Sequence, residues 1–319
     1  MEAPKSLCKG SSLSVQELAK EAMLLIPQHY VCPEEDLSIP SDGSSLPTIP
    51  TIDLDQLVSG ETTYLELEKL HFVCKEWGIF QLVNHGVSSL VVDNMKNEVQ
   101  EFYNLPLEEK MRYKIKAGDF EGETLESYMS ELQKLAMTLL GLMAKALKIN
   151  KGEIEEMFED GVQSVRMTYY PPCPLPQKVM GLTAHSDPTG ITILLEVNGV
   201  QGFQVKRDGI WIPVNILPGA FVVNVGDVLE IFSNGLYKSI EHRATVNSER
   251  ERMSLAMFFD PKFQSEVGTA ASLLDPQNPP LFKRVGMEKY VRDFFSRKLD
   301  GKSFLEEMRR AENGEDDAI

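Results

Sequence analysis

A mainly β core with flanking α-helices, α+β overall, is the fold class this 319-residue sequence predicts. Three observations predict it. Beyond residue 160, short β-branched or aromatic runs recur about every 8–12 residues, punctuated by Gly, Pro and Asn, as in an antiparallel sandwich, jelly roll or barrel. Before that point, helical periodicity dominates. After it, two short helical patterns close the chain.

The elements follow in order. Residues 14–26 read as a short helix opened by Ser14. A Pro/Ser/Gly-rich connector, "CPEEDLSIPSDGSSLPTIP", then leads into "IPTIDLDQL", a short apolar strand. "TYLELEKLHFVCKEWG" repeats apolar residues at three- and four-residue spacing and stops at Gly78, as an amphipathic helix does. "IFQLVNHG" is a strand ending in a turn, and "VVDNMKNEVQEFYNLP" a helix closed by Pro106. Between Glu123 and Leu147 the residues Leu125, Tyr128, Leu132, Leu135, Leu139, Leu142 and Ala146 recur at helical spacing, flanked by Met129, Ala136 and Met143. Such a stripe is a packing face. The strands are "SVRMTYY", "GITILLEV", "GFQVKR", "IWIPVN", "AFVVNVG", "KSIEHRATV" and "MSLAMFFD", followed by helices near 286–298 and 302–310. The chain thus divides into a helix-rich region (1–122), a packing helix with its connector (123–160), a β core (161–265), and C-terminal helices with an acidic tail (266–319).

Composition narrows the function. Hydrophobic content of 42% and charged content of 25% are those of a globular protein. A net charge of −16, from 32 basic and 48 acidic residues, argues against nucleic acid and anionic membranes, which need a basic footprint. The four cysteines, Cys8, Cys32, Cys74 and Cys173, lie too far apart for a CxxC site and fit a reducing compartment. The N-terminus has no apolar signal region, and "AMTLLGLMAKAL" is too short to span a bilayer. A cytoplasmic monomer is the expectation.

"TAHSDPTG" (Thr183–Gly190) places His185 and Asp187 two apart where a strand should end. Side chains two apart in extended chain share a face. The pair alone reads more readily as a polar turn, since Ser, Asp, Pro and Gly are turn formers. His242, 55 residues beyond Asp187 in "YKSIEHRATV", adds an imidazole inside an expected core strand, where an unpartnered ring carries a desolvation cost. Two histidines and one carboxylate suit a non-haem iron(II) site with open positions, or equally a catalytic zinc. Ten residues on, Arg252 and Ser254 in "RMS" share a face of what should be the neighbouring strand. A guanidinium pointing into a barrel needs an anion, and its fork suits a carboxylate, either a protein Asp or Glu or one end of a dicarboxylate co-substrate.

"HSD", "NVGDVLEIFSNGLYKSIEHR" and "RMS" together resemble the plant 2-oxoglutarate- and iron(II)-dependent dioxygenases, with "PTIDL", "CKEWGIFQLVNHGV", "FYNLPLEEK", "YYPPCPLP" and "RKLDGKSFLEEMR" adding to the likeness. The resemblance covers nearly the whole chain and is nearest to the group holding alkaloid O-demethylases, norcoclaurine synthase-like and senescence-related oxygenases. It implies a jelly roll of the double-stranded β-helix type. It also implies Fe(II) held by His185, Asp187 and His242, and 2-oxoglutarate bound through Arg252, Ser254 and Tyr170. Phe258 and Asp260 fall where the family lines its substrate pocket. The implied activity hydroxylates or O-demethylates a small plant metabolite, an alkaloid or flavonoid, using dioxygen. Succinate and carbon dioxide are released, and ascorbate serves as reductant. The family has Asn where this chain has Thr168. His85 in "LVNHGV" matches a structural signature rather than a ligand, and His29 and His71 show no partner pattern.

One place departs from the family. In relatives, "FEG" is followed by a few dozen residues containing a strand and part of the substrate pocket; here Gly122 runs directly into Glu123. Losing an inner strand exposes a neighbouring edge. A catalytically impaired isoform that keeps metal or ligand binding is therefore the alternative expectation. A cupin-like metal-binding storage protein would explain the triad and barrel but neither Arg252-x-Ser254 nor Tyr170.

Overall fold

The computed structural model describes residues 15–20, 26–32, 46–59, 63–112 and 122–310. The helix-rich part runs α1 (Val15–Lys20), β1 (Thr51–Asp53), α2 (Leu54–Val58), α3 (Thr63–Glu76), β2 (Ile79–Val83), α4 (Ser89–Asn104), α5 (Leu107–Arg112), α6 (Glu123–Leu147) and α7 (Lys151–Phe158). The β core follows as β3 (Val162–Tyr170), β4 (Met180–His185), β5 (Ile191–Glu196), β6 (Phe203–Arg207), β7 (Ile210–Pro213), β8 (Phe221–Val225), α8 (Asp227–Phe232), β9 (His242–Thr245) and β10 (Arg252–Asp260). A small β11 (Glu266–Val267) and β12 (Val285–Gly286) pair precedes α9 (Met287–Phe295) and α10 (Ser303–Met308).

Two sheets carry the core. One has strand order β1-β2-β8-β5-β10-β3, the other β4-β9-β6-β7. All their pairings are antiparallel except β1 with β2. The six-stranded sheet is covered on both faces. Ile193, Leu195, Val223, Leu255 and Met257 join the cluster built around α6, whereas Leu194 and Val222 pack with Phe203, Val205 and Ile212 of the other sheet. Burial on both faces explains why "ITILLE" and "FVVNV" read as nearly continuous apolar runs.

Four expectations change in detail. The strand in "IPTIDLDQL" stops at Asp53, whose carboxylate accepts from Gln56 N–H at 3.3 Å and caps α2, a preferred role for Asp. The strand expected across "KSIEHRATV" begins only at His242. Upstream, Ser239 N–H is taken by the Glu230 side chain at 2.6 Å instead of a ladder partner. β10, carrying Arg252 and Ser254, is not the neighbour of β9; it lies in the opposite sheet between β5 and β3, because the chain crosses the sandwich between residues 246 and 251. Finally, the buried stripe of α6 drifts. Past Leu139 it continues through Leu140, Met143, Ala144 and Leu147, and Leu142 and Ala146 are only half-buried. A seven-residue reading of a helix with 3.6 residues per turn slips by roughly 20° per heptad.

The connector over 33–45 and the tail over 311–319 lie outside the described residues, as do residues 113–121 beside the Gly122 junction. No helix among the described residues is long and apolar enough to cross a membrane.

Candidate active site

The site forms where β4 and β9, adjacent in the four-stranded sheet, deliver His185 and His242 opposite each other. The loop after β4 turns Asp187 between them. Gly226 makes that turn possible: a Cβ there would stand 2.1 Å from Thr189 O. With no side chain in the way, the chain entering α8 donates Gly226 N–H to Gly190 O (2.9 Å), Asp227 N–H to Asp187 O (2.8 Å) and Val228 N–H to Thr189 O (3.1 Å). Behind the loop, Ser186 Oγ donates to buried Asp227 Oδ2 at 3.1 Å.

The three side chains are buried and convergent. Asp187 Oδ1 lies 3.7 Å from His185 Nε2 and 3.6 Å from His242 Nε2, and one potential ligand atom from each residue falls within 4.8 Å of the others. Both rings are oriented the same way. His185 Nδ1 meets Thr183 O at 2.8 Å and His242 Nδ1 meets Ile240 O at 3.1 Å. A carbonyl only accepts, so each Nδ1 carries the hydrogen and each Nε2 presents a lone pair inward, the arrangement of metal-binding histidines. Burial, and then the neighbouring His242, push His185 down to about 4, so its ring is neutral at neutral pH. Burial alone would raise the Asp187 carboxyl. The two imidazoles, His242 first, and hydrogen bonds from Thr192 (2.7 Å) and Asn224 outweigh it and hold Asp187 below its ordinary value.

Across the sandwich stands Arg252, 2% exposed. Its Nη1 donates to Ser254 Oγ at 3.4 Å, and its guanidinium lies 5.6 Å from the Tyr170 ring. Nε and Nη2 have no hydrogen-bond partner. Buried guanidinium donors without partners are costly, which marks this as a seat for an anion. Thr168 sits 2.6 Å from Ser254 Oγ, hydroxyl to hydroxyl. A cavity of about 50 Å³ joins these groups, lined by the triad, Arg252, Ser254, Tyr170 and Phe258 among others. Its rim reaches solvent at Arg166. Asp260 does not line this cavity. It borders a separate void of about 10 Å³ beneath α6, where burial, and then Asp187, raise its carboxyl to about 7.

His85 stays out of the cluster. Its Nε2 donates to Gly219 O at 3.0 Å, its Nδ1 accepts from Val87 N–H at 3.2 Å, and its ring packs on Phe221. Sequence reasoning missed Thr192, Asn224, Asp227 and Glu230. Each is a polar residue inside an apolar stretch ("ITILLE", "FVVNV", "DVLEIF"), and that isolation was the available signal.

A buried His-Asp-His cluster faced by an arginine with two unpartnered donors fits the class of non-haem iron oxygenases, and comparison with known proteins agrees. Residues 161–261 match the 2OG-Fe(II) oxygenase superfamily, and residues 49–167 match the N-terminal region described as non-haem dioxygenase in morphine synthesis. The chain belongs to the 2OG-Fe(II) oxygenase superfamily, whose members are oxidoreductases using Fe(II) and 2-oxoglutarate. It is 45% identical to thebaine 6-O-demethylase of Papaver somniferum, covering 97% of this chain and 100% of that protein. It is 41% identical to oxoglutarate-dependent flavonoid 7-O-demethylase 1 of Ocimum basilicum, covering 93% and 90%. Among solved structures, JOX2 in complex with 2OG, Fe and JA superposes with a TM-score of 0.84 at 30% identity, covering 94% of this chain and 98% of that one.

Proposed function

We propose that this chain hydroxylates or O-demethylates a small plant specialised metabolite of the alkaloid or flavonoid kind, with 2-oxoglutarate leaving as succinate and carbon dioxide. The observation that carries the reading is Arg252, whose Nε and Nη2 stand unpartnered in the cavity that also holds the triad. His185, Asp187 and His242 would hold Fe(II), and Arg252 with Ser254 and Tyr170 would take the distal carboxylate of 2-oxoglutarate. When bound, the iron supplies the activation of dioxygen.

The chain's own groups do the rest. Thr183 O and Ile240 O fix the imidazole tautomers, and Thr192 holds Asp187 Oδ2 so that Oδ1 faces the rings. Arg252, shut off from water, orients a dicarboxylate by its planar fork. Ser254 Oγ, bonded to both Thr168 and Arg252, can turn its hydrogen toward whichever acceptor arrives. Phe258 offers an apolar wall at the substrate end. The named relatives act on thebaine and flavonoids, which supports an aromatic substrate.

A second reading, a catalytically impaired form lacking an internal segment after Gly122, is favoured by three observations. The alignment to thebaine 6-O-demethylase runs 363 positions, yet 97% of 319 residues is about 309, so about 54 positions have no counterpart here. β3 ends its sheet beside the cavity, and about 50 Å³ is far below the roughly 300–1,000 Å³ usual for drug-sized ligands.

Succinate formation by the purified protein with 2-oxoglutarate, Fe(II) and ascorbate, beside His242→Ala, tests both readings. Turnover abolished by the substitution is expected. Folded, iron-loaded protein without turnover selects the impaired form.

A further inference from the structure

The motif "RKLDGKSFLEEMR" contributes no group to the cavity, yet it packs against the chain that presents the metal ligands. Gly301, at φ +51°, bridges the end of β4. Its N–H donates to Ala184 O at 3.1 Å, and its carbonyl accepts Ser186 N–H at 3.2 Å. These two bonds bracket His185. One residue on, Lys302 Nζ donates to Ser239 O at 3.0 Å and to Glu230 Oε2 at 2.8 Å. The same Oε2 accepts Ser239 N–H at 2.6 Å, three residues before His242. Glu230 itself lies on α8, whose entering turn holds the loop carrying Asp187.

We propose that Lys302 is a positioning residue for the metal site, acting through Glu230 and Ser239 to fix where His242 stands relative to His185 and Asp187. The inference rests on the iron reading above. The Glu230 side chain is 1% exposed, so this contact is unlike a solvent-screened surface pair. Its other cation, Arg309, reaches Oε1 at 3.2 Å from a side chain 38% exposed and does not touch Ser239. Without the Lys302 ammonium, Ser239 loses the donor on its carbonyl, and Glu230 keeps a buried charge with half its pairing. Both effects release the segment leading into His242. Groups bonded directly to metal ligands typically contribute about 10–100-fold to metal affinity; Lys302 stands one contact further back, so its effect falls at or below the lower end.

The test is Co(II) titration of the full chain, read by the visible absorption of the bound ion, which reports ligand geometry as well as occupancy. Lys302→Met is expected to weaken Co(II) binding by up to about tenfold and to alter the absorption bands, with Lys302→Arg restoring both. Lys289→Met, which breaks only an exposed pair with Asp293 on α9, serves as control and is expected to change neither. If Lys302→Met does not fold, Lys302→Gln replaces it, keeping one N–H for Ser239 O while removing the charge, with the same weakening expected. Unchanged affinity and bands in the folded variant overturn the proposal. So does weakening that Lys302→Arg fails to reverse while all variants lose thermal stability alike, because that is a staple and no more. If His242→Ala binds Co(II) as tightly as wild type, the iron reading fails, and the role of Lys302 with it.

Discussion

Replacing Arg252 with Leu should separate stability from co-substrate binding, because no carboxylate hydrogen-bonds the buried guanidinium and Glu196 acts on it only at longer range. Nε and Nη2 are the two donors left free. Hydrogen bonds to charged groups contribute about 1.5–3 kcal/mol each, so two give at least about 3 kcal/mol, or roughly 150-fold in affinity. The same donors, buried and unpaired, cost about 1–3 kcal/mol in the ligand-free protein. Arg252→Leu without co-substrate should therefore melt no lower than wild type. With Co(II) present and 2-oxoglutarate at about a hundred times the wild-type Kd, binding stabilises wild type by about 2.7 kcal/mol and the variant by about 0.3 kcal/mol. Thermal melts with and without 2-oxoglutarate measure both quantities and need no turnover. A variant that keeps the full co-substrate shift, or that melts well below wild type without it, would refute the argument that this arginine waits for a carboxylate.

Further tests follow from single contacts. Thr192→Val removes the hydroxyl on Asp187 Oδ2 and should weaken Co(II) binding about tenfold, read by titration, with little change in the melting of metal-free protein. Leu139→Ala, on the fully buried face of α6, should cost about 2–5 kcal/mol in urea unfolding. Leu142→Ala, half-buried, should cost roughly half as much, and equal losses would contradict the drift of the stripe. His85 is held below its ordinary imidazole pKa by burial, against the raising effect of its bond to Gly219. Its contribution to stability is therefore present above the ordinary value and is lost as pH falls through the lowered folded one. Urea midpoints that fall between neutral pH and pH 5 should fall less steeply in His85→Gln.

The sequence made the site legible where residue type and spacing both carry chemistry. His185 and Asp187 two apart, His242 in an apolar stretch, and Arg252 two before Ser254 are rare combinations, and their side chains meet around one cavity. It was less legible where tertiary context decides. Nothing local to "RMS" says which sheet it joins, because a crossing between sheets depends on how the whole sandwich closes. Asp260 alternates in step with Arg252 and Ser254 but misses their cavity, since the end of β10 runs past it toward α6. Lys302 is one of many lysines in the sequence; only folding brings it to a buried glutamate seventy-two residues away.

The crossing between β9 and β10 has a consequence of its own. The histidines stand on one sheet and the guanidinium on the other, and such sheets pack about 10 Å apart. On the proposed reading, with Fe(II) at the triad and a carboxylate at Arg252, the sandwich would act as a ruler for diacids: a keto acid one methylene shorter or longer would not satisfy both ends without moving a sheet. Its length is set by side chains packed between the layers, among them Val205, Ile212 and Val222. On that reading, selection for a different co-substrate would act on apolar residues outside the cavity.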